Sequence, residues 1–249
     1  MLREKAPRKC QDTGHLVTNF SDLVLRISEF ANEIGVKLKP FYSNDFPFFC
    51  ALPHHQKIAV IQAATSYVDI CERTKMDGGL ANSKTFVWNG IKSLGLRPTS
   101  ELFNLLNEDH VVEIHDFSAR QMFRNFNYFK YSSYDLESLL CRDIHQLFSY
   151  DENAIKYLLQ WFNEVQSGQW AEMKPFNLKP THINELQSPF KYELKVEFLF
   201  GGPLFDSTGR PAATISLEKA TIEKSAMTIK DEETLLNEFY KGSPDLRLV

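Results

Sequence analysis

The sequence predicts an α+β protein in which an N-terminal helical segment packs on a C-terminal antiparallel sheet. Three observations carry that prediction. Before Asn107, apolar residues recur at helical spacing with no strand-like run among them. Strand-like stretches begin only at Val111. Further on, Tyr192, Leu194, Val196, Phe198 and Phe200 fall on one face of an alternating run, and Glu193, Lys195 and Glu197 fall on the other, with Leu199 the exception. The composition shifts near Asn107, and no Gly/Ser/Pro-rich spacer separates the halves, so they are expected to pack together.

Residues 1–18 read as a loose, basic N-terminus. A first helix is expected from about Phe20 to Ile34, where Phe20, Leu23, Val24, Ile27, Phe30, Ala31 and Ile34 keep helical spacing and Gly35 supplies a stop. Lys39 to Phe49 is an aromatic loop interrupted by Pro40 and Pro47. Its rings are expected to be buried, because burying each one contributes roughly 1.5–3 kcal/mol. They are expected to pin the loop to the helices or to the neighbouring domain. A second helix is expected from about His54 to Arg73 and a third from about Ser83 to Leu94, ended by Gly95. A short helix follows around Leu102–Leu106, so residues 19–106 form the helical segment.

Val111 to Asp116 reads as a strand and Gln121 to Phe129 as a second, aromatic one. Short helical pieces follow at Tyr134–Leu140 and Arg142–Phe148, with Ser132 and Asp135 spaced as a capping box. Ser149 to Glu152 reads as another box, opening a helix whose stripe is Ile155, Leu158, Leu159, Phe162 and Val165. Ser167-Gly168 ends it. The alternating strand then reaches Gly201-Gly202-Pro203, where the run is expected to break. Asp206 to Gly209 supplies turn residues, and the chain returns as Ala212 to Glu218. Residues 223–249 read as a C-terminal segment with a helix at Asp231–Tyr240 and a loose tail.

The order of two strands, small helices, a longer helix and a strand hairpin resembles the PAS domain. The stretches YSSYDLESLLCRDIHQLFSYDE, NEVQSGQW and GGPLFDSTGRPAATISLEKATI carry the resemblance. They look like the small helices, the end of the long helix, and the last two strands with their D-x-x-G-R-P turn. The resemblance covers residues 107–222 and implies a five-stranded antiparallel sheet with flanking helices. It also implies a sensory or interaction module. The segment MKPFNLKPTHINELQSPF departs from the compact pattern and leaves the limits of the third strand open.

The composition, 43% hydrophobic and 24% charged, is that of an ordinary globular protein. No apolar run approaches the ~20 residues that a membrane helix needs. No apolar stretch follows the basic start as a secretory signal would require. Cys10, Cys50, Cys71 and Cys141 have no paired spacing, which suits a reducing cytoplasm. The net charge of -4 argues against broad nucleic-acid binding.

No Ser-His-Asp constellation, P-loop or G-x-G-x-x-G is present, and no enzyme is expected. His110 and His115 would point to opposite faces of a strand, and the adjacent His54-His55 lack ligand geometry, so no metal is assigned. Cys141 precedes Arg142-Asp143-Ile144-His145. It therefore lacks the Asn-Cys-Arg-Phe-like motif by which light-sensing PAS relatives bond a flavin, and it reads as a structural thiol. His145 sits on the short helix and not on the longer one that carries haem in some relatives. The cofactor stays unknown.

Phe123, Phe126, Tyr128, Phe129 and Tyr134, with Phe198, are either the aromatic core or the lining of a pocket for a small apolar or aromatic ligand, as the resemblance implies. The functional expectation is a cytoplasmic signalling protein acting through protein contact, as a homodimer or with a partner protein. The alternative is a DNA-binding transcriptional regulator using the N-terminal helices and the Met1–Lys9 arm. Lys84 and Lys92 are the only positive charges on its third helix, which is thin for a phosphate grip.

Overall fold

A computed structural model describes residues 14–39, 41, 43, 45–188, 190–226 and 234. The expected basic arm Met1–Lys9, Cys10, the helix at Asp231–Tyr240 and the tail 243–249 fall outside the described residues, apart from position 234. The first helix, α1 (Gly14–Glu33), starts inside the stretch read as loose. It buries Leu16, Phe20, Leu23, Val24, Ile27 and Ala31, a stripe at i, i+3 and i+4 spacing. Gly35, at φ 76, turns the chain out of it.

The aromatic stretch contains a one-turn helix, α2 (Pro47–Ala51), with Pro47 in its first turn. Its rings dock on α1: Phe49 stacks on Phe20 with centroids 4.3 Å apart, and Phe46 meets Phe20 edge-on at 5.6 Å. The next helices are α3 (His54–Met76) and α4 (Ser83–Ser93), the latter capped by the Asn82 side chain accepting from the Thr85 amide. A two-residue strand, β1 (Arg97–Pro98), and a short helix, α5 (Leu102–Leu105), lead into the sheet.

The sheet opens with β2 (Val111–His115) and β3 (Gln121–Arg124). The aromatic strand expected to reach Phe129 stops at Arg124, because Asn125, whose amide still donates to the Val112 carbonyl at 3.1 Å, gives its side chain in place of its carbonyl to the rest of the ladder. Its Oδ1 accepts from the Val112 amide at 3.0 Å and its Nδ2 donates to the His110 carbonyl at 2.9 Å. The rings beyond it then turn inward on a short helix, α6 (Phe126–Lys130). Two more short helices follow, α7 (Leu136–Cys141) and α8 (Ile144–Leu147). The cap of α7 is Asp135, accepting from the Ser138 amide, and not Ser132. Ser149 and Tyr150 likewise belong to a strand, β4 (Phe148–Tyr150). Asp151 alone caps α9 (Glu152–Gln166).

The buried face of α9 is Ala154, Trp161 and Val165, while Leu159 is about half exposed. The expected stripe is therefore rotated, because Trp161 sits against the backbone of Gly201. A two-residue strand, β5 (Lys174–Pro175), and β6 (Thr181–Glu185) precede the long hairpin of β7 (Glu193–Phe205) and β8 (Pro211–Lys224). β7 does not break at Gly201-Gly202-Pro203. A Cβ on Gly201 would lie 2.4 Å from the Phe176 ring and 2.7 Å from Trp161, so the glycine serves close approach inside a continuing strand. Leu199, the exception in the alternation, is a bulge. Phe198 pairs with Glu218 and Phe200 with Leu217, which moves Phe200 to the other face. The hairpin turn is held by Asp206, whose Oδ1 accepts from the Thr208 and Arg210 amides, with Gly209 at φ 83.

All pairs are antiparallel in the order β3-β2-β8-β7-β6-β4, with β1 and β5 added to β7. The C-terminal part is PAS-like: two strands, short helices, a longer helix, a third strand and a hairpin. Its sheet carries three short strands beyond the five expected. Both faces are covered. Val112, Ile114, Leu204, Ile215 and Leu217 share one face and are fully buried. Phe123, opposite Ile114 on that face, packs on Phe86 and Gly90 of α4 and on Tyr67 of α3. The other face looks towards α6 and α9.

The seam between α4 and the sheet gives a test. Gly→Ala inside a helix ordinarily stabilises by about 1 kcal/mol. At Gly90 the added Cβ would lie 2.5 Å from a carbon of the Phe123 ring, itself 3% exposed, so the ring has nowhere to go. Gly90→Ala is expected to destabilise by roughly 1–3 kcal/mol in urea unfolding. A stabilised variant would show that α4 does not press on this face.

Candidate functional site

On the face opposite α4, the sheet and the short helices enclose a cavity of about 40 Å³. Its floor is built by pairing. Val111 lies opposite Glu218, Glu113 opposite Ser216, Val196 opposite Ala220, and Ile183 between Tyr150 and Leu194. Partners across an antiparallel ladder share a face, so Glu113 and Glu218 are diagonal neighbours pointing the same way. Tyr128, Tyr131 and Ser132 from α6 and the turn after it form the roof, and Phe148 and Tyr150 of β4 close one side. A water needs roughly 10–15 Å³ of such space, so the cavity as folded takes about three.

The electrostatics are unusual for so enclosed a place. Glu113 is 9% exposed and Glu218 is 6% exposed. Glu113 accepts from Gln121 Nε2, and His115 Nε2 lies 3.5 Å from its Oε2. Burial pushes Glu113 up to about 7, against the pull of Arg124 and the Gln121 hydrogen bond. Burial also pushes His115 down to about 4, with Arg124 adding to the effect. His115 is therefore neutral at pH 7 and packs edge-on against Phe162 of α9 at 6.1 Å. Glu218 accepts from Ser216 Oγ at 2.6 Å and forms no ion pair among the described residues. Burial first, and then the neighbouring Glu113 charge, raise it well above the usual carboxylate range. Arg124 lies with its guanidinium 4.6 Å from the Tyr128 ring centre. The Tyr128 and Tyr150 hydroxyls are pushed up by burial.

Of the rings singled out in the sequence, Tyr128 lines this cavity. Phe123 lies on the far face of the sheet against α4. Phe126 stacks on Phe86 at 4.8 Å and borders a second cavity, about 290 Å³, at the junction with α1 and α4. Phe129 packs between Tyr128 and Tyr67. Tyr134 meets Phe148 edge-on, donates to the Leu147 carbonyl, and accepts from the Leu186 and Gln187 amides. Phe198 shares the cavity face but packs on Phe176. Glu113, Glu218 and Tyr150 were not singled out. The signal was available: a Glu at a middle position of VVEIH, and Ser216 and Glu218 alternating along a strand with apolar neighbours.

Cys141 is half-buried on α7, with burial and then the charge of Glu137 raising its thiol. Glu137 is 1% exposed and accepts from the Phe48 and Phe49 amides at 2.8 and 3.0 Å, so it caps α2 from another element. Burial pushes it up to about 7, with the Phe49 hydrogen bond working against that. A raised carboxyl favours its protonated form in the folded state, so its contribution is fully present below about 4.5 and is lost as pH rises through about 7. Glu137→Gln keeps an acceptor for both amides. Its unfolding free energy is expected to fall less than the wild-type's between pH 4.5 and 7; parallel curves would contradict this.

One group with metal-ligand spacing occurs among the described residues. His182, Glu193 and Glu223 come together on the outer surface of β6, β7 and β8. His182 Nδ1 lies 3.3 Å from Glu223 and 3.9 Å from Glu193, and Lys224 already pairs with Glu193 at 2.8 Å. No helix among the described residues is long and apolar enough to cross a membrane.

No family model matches the chain. No curated protein matches its sequence. Among solved structures, a sensory box sensor histidine kinase from Vibrio cholerae is similar at 16% identity and a TM-score of 0.30, over 50% of this chain and 90% of that one. The light-state dimer of the fungal blue-light photoreceptor Vivid is similar at 9% identity and a TM-score of 0.32, over 45% and 78%. An RNA-binding light-oxygen-voltage receptor is similar at 12% identity and a TM-score of 0.31, over 97% of this chain and 70% of that one.

Proposed function

We propose that this chain is a cytoplasmic regulatory module without a catalytic step. In this reading, residues 107–222 form a sensory or interaction unit, and residues 19–106 form a helical layer that carries its response. The observation that supports it most is the enclosed Glu113–Glu218 pair facing a cavity. Burying a carboxyl costs stability, and Arg124 offsets this for Glu113 but not for Glu218, so the pair around a space points to a use other than holding the fold. A small ligand entering there would touch β2, β8 and α6 at once. Movement of α6 would reach α3 and α4 through Tyr67, Phe86 and Phe126, which are in mutual ring contact. The output is contact with a second copy or a partner protein.

Native mass spectrometry of the full chain tests this reading. A bound small molecule that is lost on denaturation, and lost when Ala220→Phe fills the cavity, is the expected result. A chain that carries nothing, and whose melting temperature no small-molecule library shifts, would overturn the cavity as a sensing site. A clean homodimer of that empty chain would leave an interaction module.

A further inference from the structure

We infer that the cavity between β2, β8 and α6 recognises a small organic cation, a short alkylammonium, through the Glu218 carboxylate. The inference rests on the reading of this cavity as a ligand site. Three observations choose the chemistry. First, charge in the enclosure is unbalanced. The acidic groups facing it are Glu113 from β2 and Glu218 from β8, and the cation beside them is Arg124 from β3, set towards Glu113. Glu218 has no cation in ion-pair contact among the described residues, and its one hydrogen bond comes from a neutral serine. It must hold a proton or meet a positive charge brought from outside.

Second, Tyr128 is 9% exposed, lines the cavity, and its hydroxyl has no hydrogen-bond partner among the described residues. A roof group left open beside a carboxyl is an acceptor for an N–H donor. Third, the remaining walls are Val111, Ile183, Leu194, Val196 and Ala220, with the rings of Phe148 and Tyr150. Aromatic and aliphatic walls around an acid suit an alkylammonium, whose charge is attracted to rings. They do not suit a hard metal ion, which needs about six oxygen ligands or retained waters. At about 40 Å³ the space holds a chain of only a few non-hydrogen atoms.

The cation takes the place of the Glu218 proton, which leaves to solvent, and no covalent bond changes. The other titratable groups around the site are Tyr131 above, Tyr150 from β4, Glu185 from β6, which acts on Tyr128 and whose carboxyl is held by Ser133 and Tyr192, and His115 from β2, which stays neutral at pH 7. α9 and β7 present no charge to it.

Ethylammonium chloride is the probe, used on the full chain by isothermal titration in two buffers of different ionisation enthalpy. A ligand of three heavy atoms is expected to bind at about millimolar strength. Up to one proton should be released per ligand at pH 7, and affinity should weaken as pH falls. Glu218→Gln, which keeps shape and removes the charge, should bind at least about tenfold more weakly, and Tyr128→Phe should be intermediate. Sodium and propanol, the charge and the chain separately, should not compete. Binding that is equal in Glu218→Gln, or absent proton release, overturns the inference, and this second readout needs no variant to fold. If ethylammonium fails while a neutral or anionic molecule is found in the cavity, the cation chemistry falls and the ligand site stands. If the cavity is empty to every probe, both fall together.

Discussion

Cutting the chain down to residues 107–226 should abolish folding, although every long strand remains. The face formed by Val112, Ile114, Phe123, Leu204, Ile215 and Leu217 is at most 3% exposed, and in the whole chain the layer on that side is helical. Each large aliphatic or aromatic side chain stripped of its cover forgoes roughly 1.5–3 kcal/mol, and six such losses together match or exceed the 5–15 kcal/mol that holds an entire domain. The fragment is expected to be insoluble, or to lack dispersed amide signals in solution. A soluble fragment with a sheet-type circular dichroism spectrum and a cooperative melt would show that the helical layer is an accessory and not half of the core.

Glu185→Ala should be among the most damaging single substitutions. Glu185 is 4% exposed at the end of β6, and its carboxylate gathers three donors from distant positions. Oε1 accepts from the Ser133 amide at 2.7 Å, and Oε2 accepts from the Tyr192 amide at 3.0 Å and from the Ser133 hydroxyl. The side chain thereby ties the entrance of α7 to the start of β7. Alanine takes this acceptor from two buried amides, while the Ser133 hydroxyl keeps Ser188 Oγ as a partner. At about 1–3 kcal/mol for each orphaned group, partly relieved by entering water, the expected loss is roughly 3–5 kcal/mol in urea unfolding. Glu185→Gln should fall between, because it offers one acceptor oxygen in place of two. A loss under about 1 kcal/mol for alanine would mean that these donors find other partners.

Much of this arrangement can be read from the residues alone. The hairpin follows from strict alternation between Leu194 and Phe198, and the turn follows from Asp206 and Gly209. The helical half follows from the spacing of Phe20, Leu23, Val24 and Ile27. What escapes the reading depends on partners far away in sequence. Asn125 ends a strand by bonding to residues thirteen and fifteen positions earlier. Ser149 resembles a helix cap until β6 arrives to pair with it. Gly201 looks like a strand breaker, and only the rings of Trp161 and Phe176 give it a reason to lie inside a strand.

The candidate site was hidden for a related cause. A Glu on a strand is ordinarily read as the solvent side. Glu113 and Glu218 are enclosed because one face of their sheet is taken by α4 and the other by the short helices. The aromatic cluster drew the reading towards Phe123 and Phe126, which serve the seam between the halves. Its member Tyr128 is the one that reaches the cavity.

The two-residue strand β1 has a mechanical meaning. It comes from the helical half, yet it pairs with the far end of β7, Arg97 opposite Phe205 and Pro98 opposite Leu204. The same edge of β7 carries β6 at its beginning and β5 at its middle. The halves are thus clasped as well as stacked. A sideways slide of the helices would pull on the tip of the long hairpin as well as on the Gly90–Phe123 seam. The Asp206–Gly209 turn therefore lies directly beside a strand edge that the two halves share, so a change in the length of that turn would be felt by the helical half.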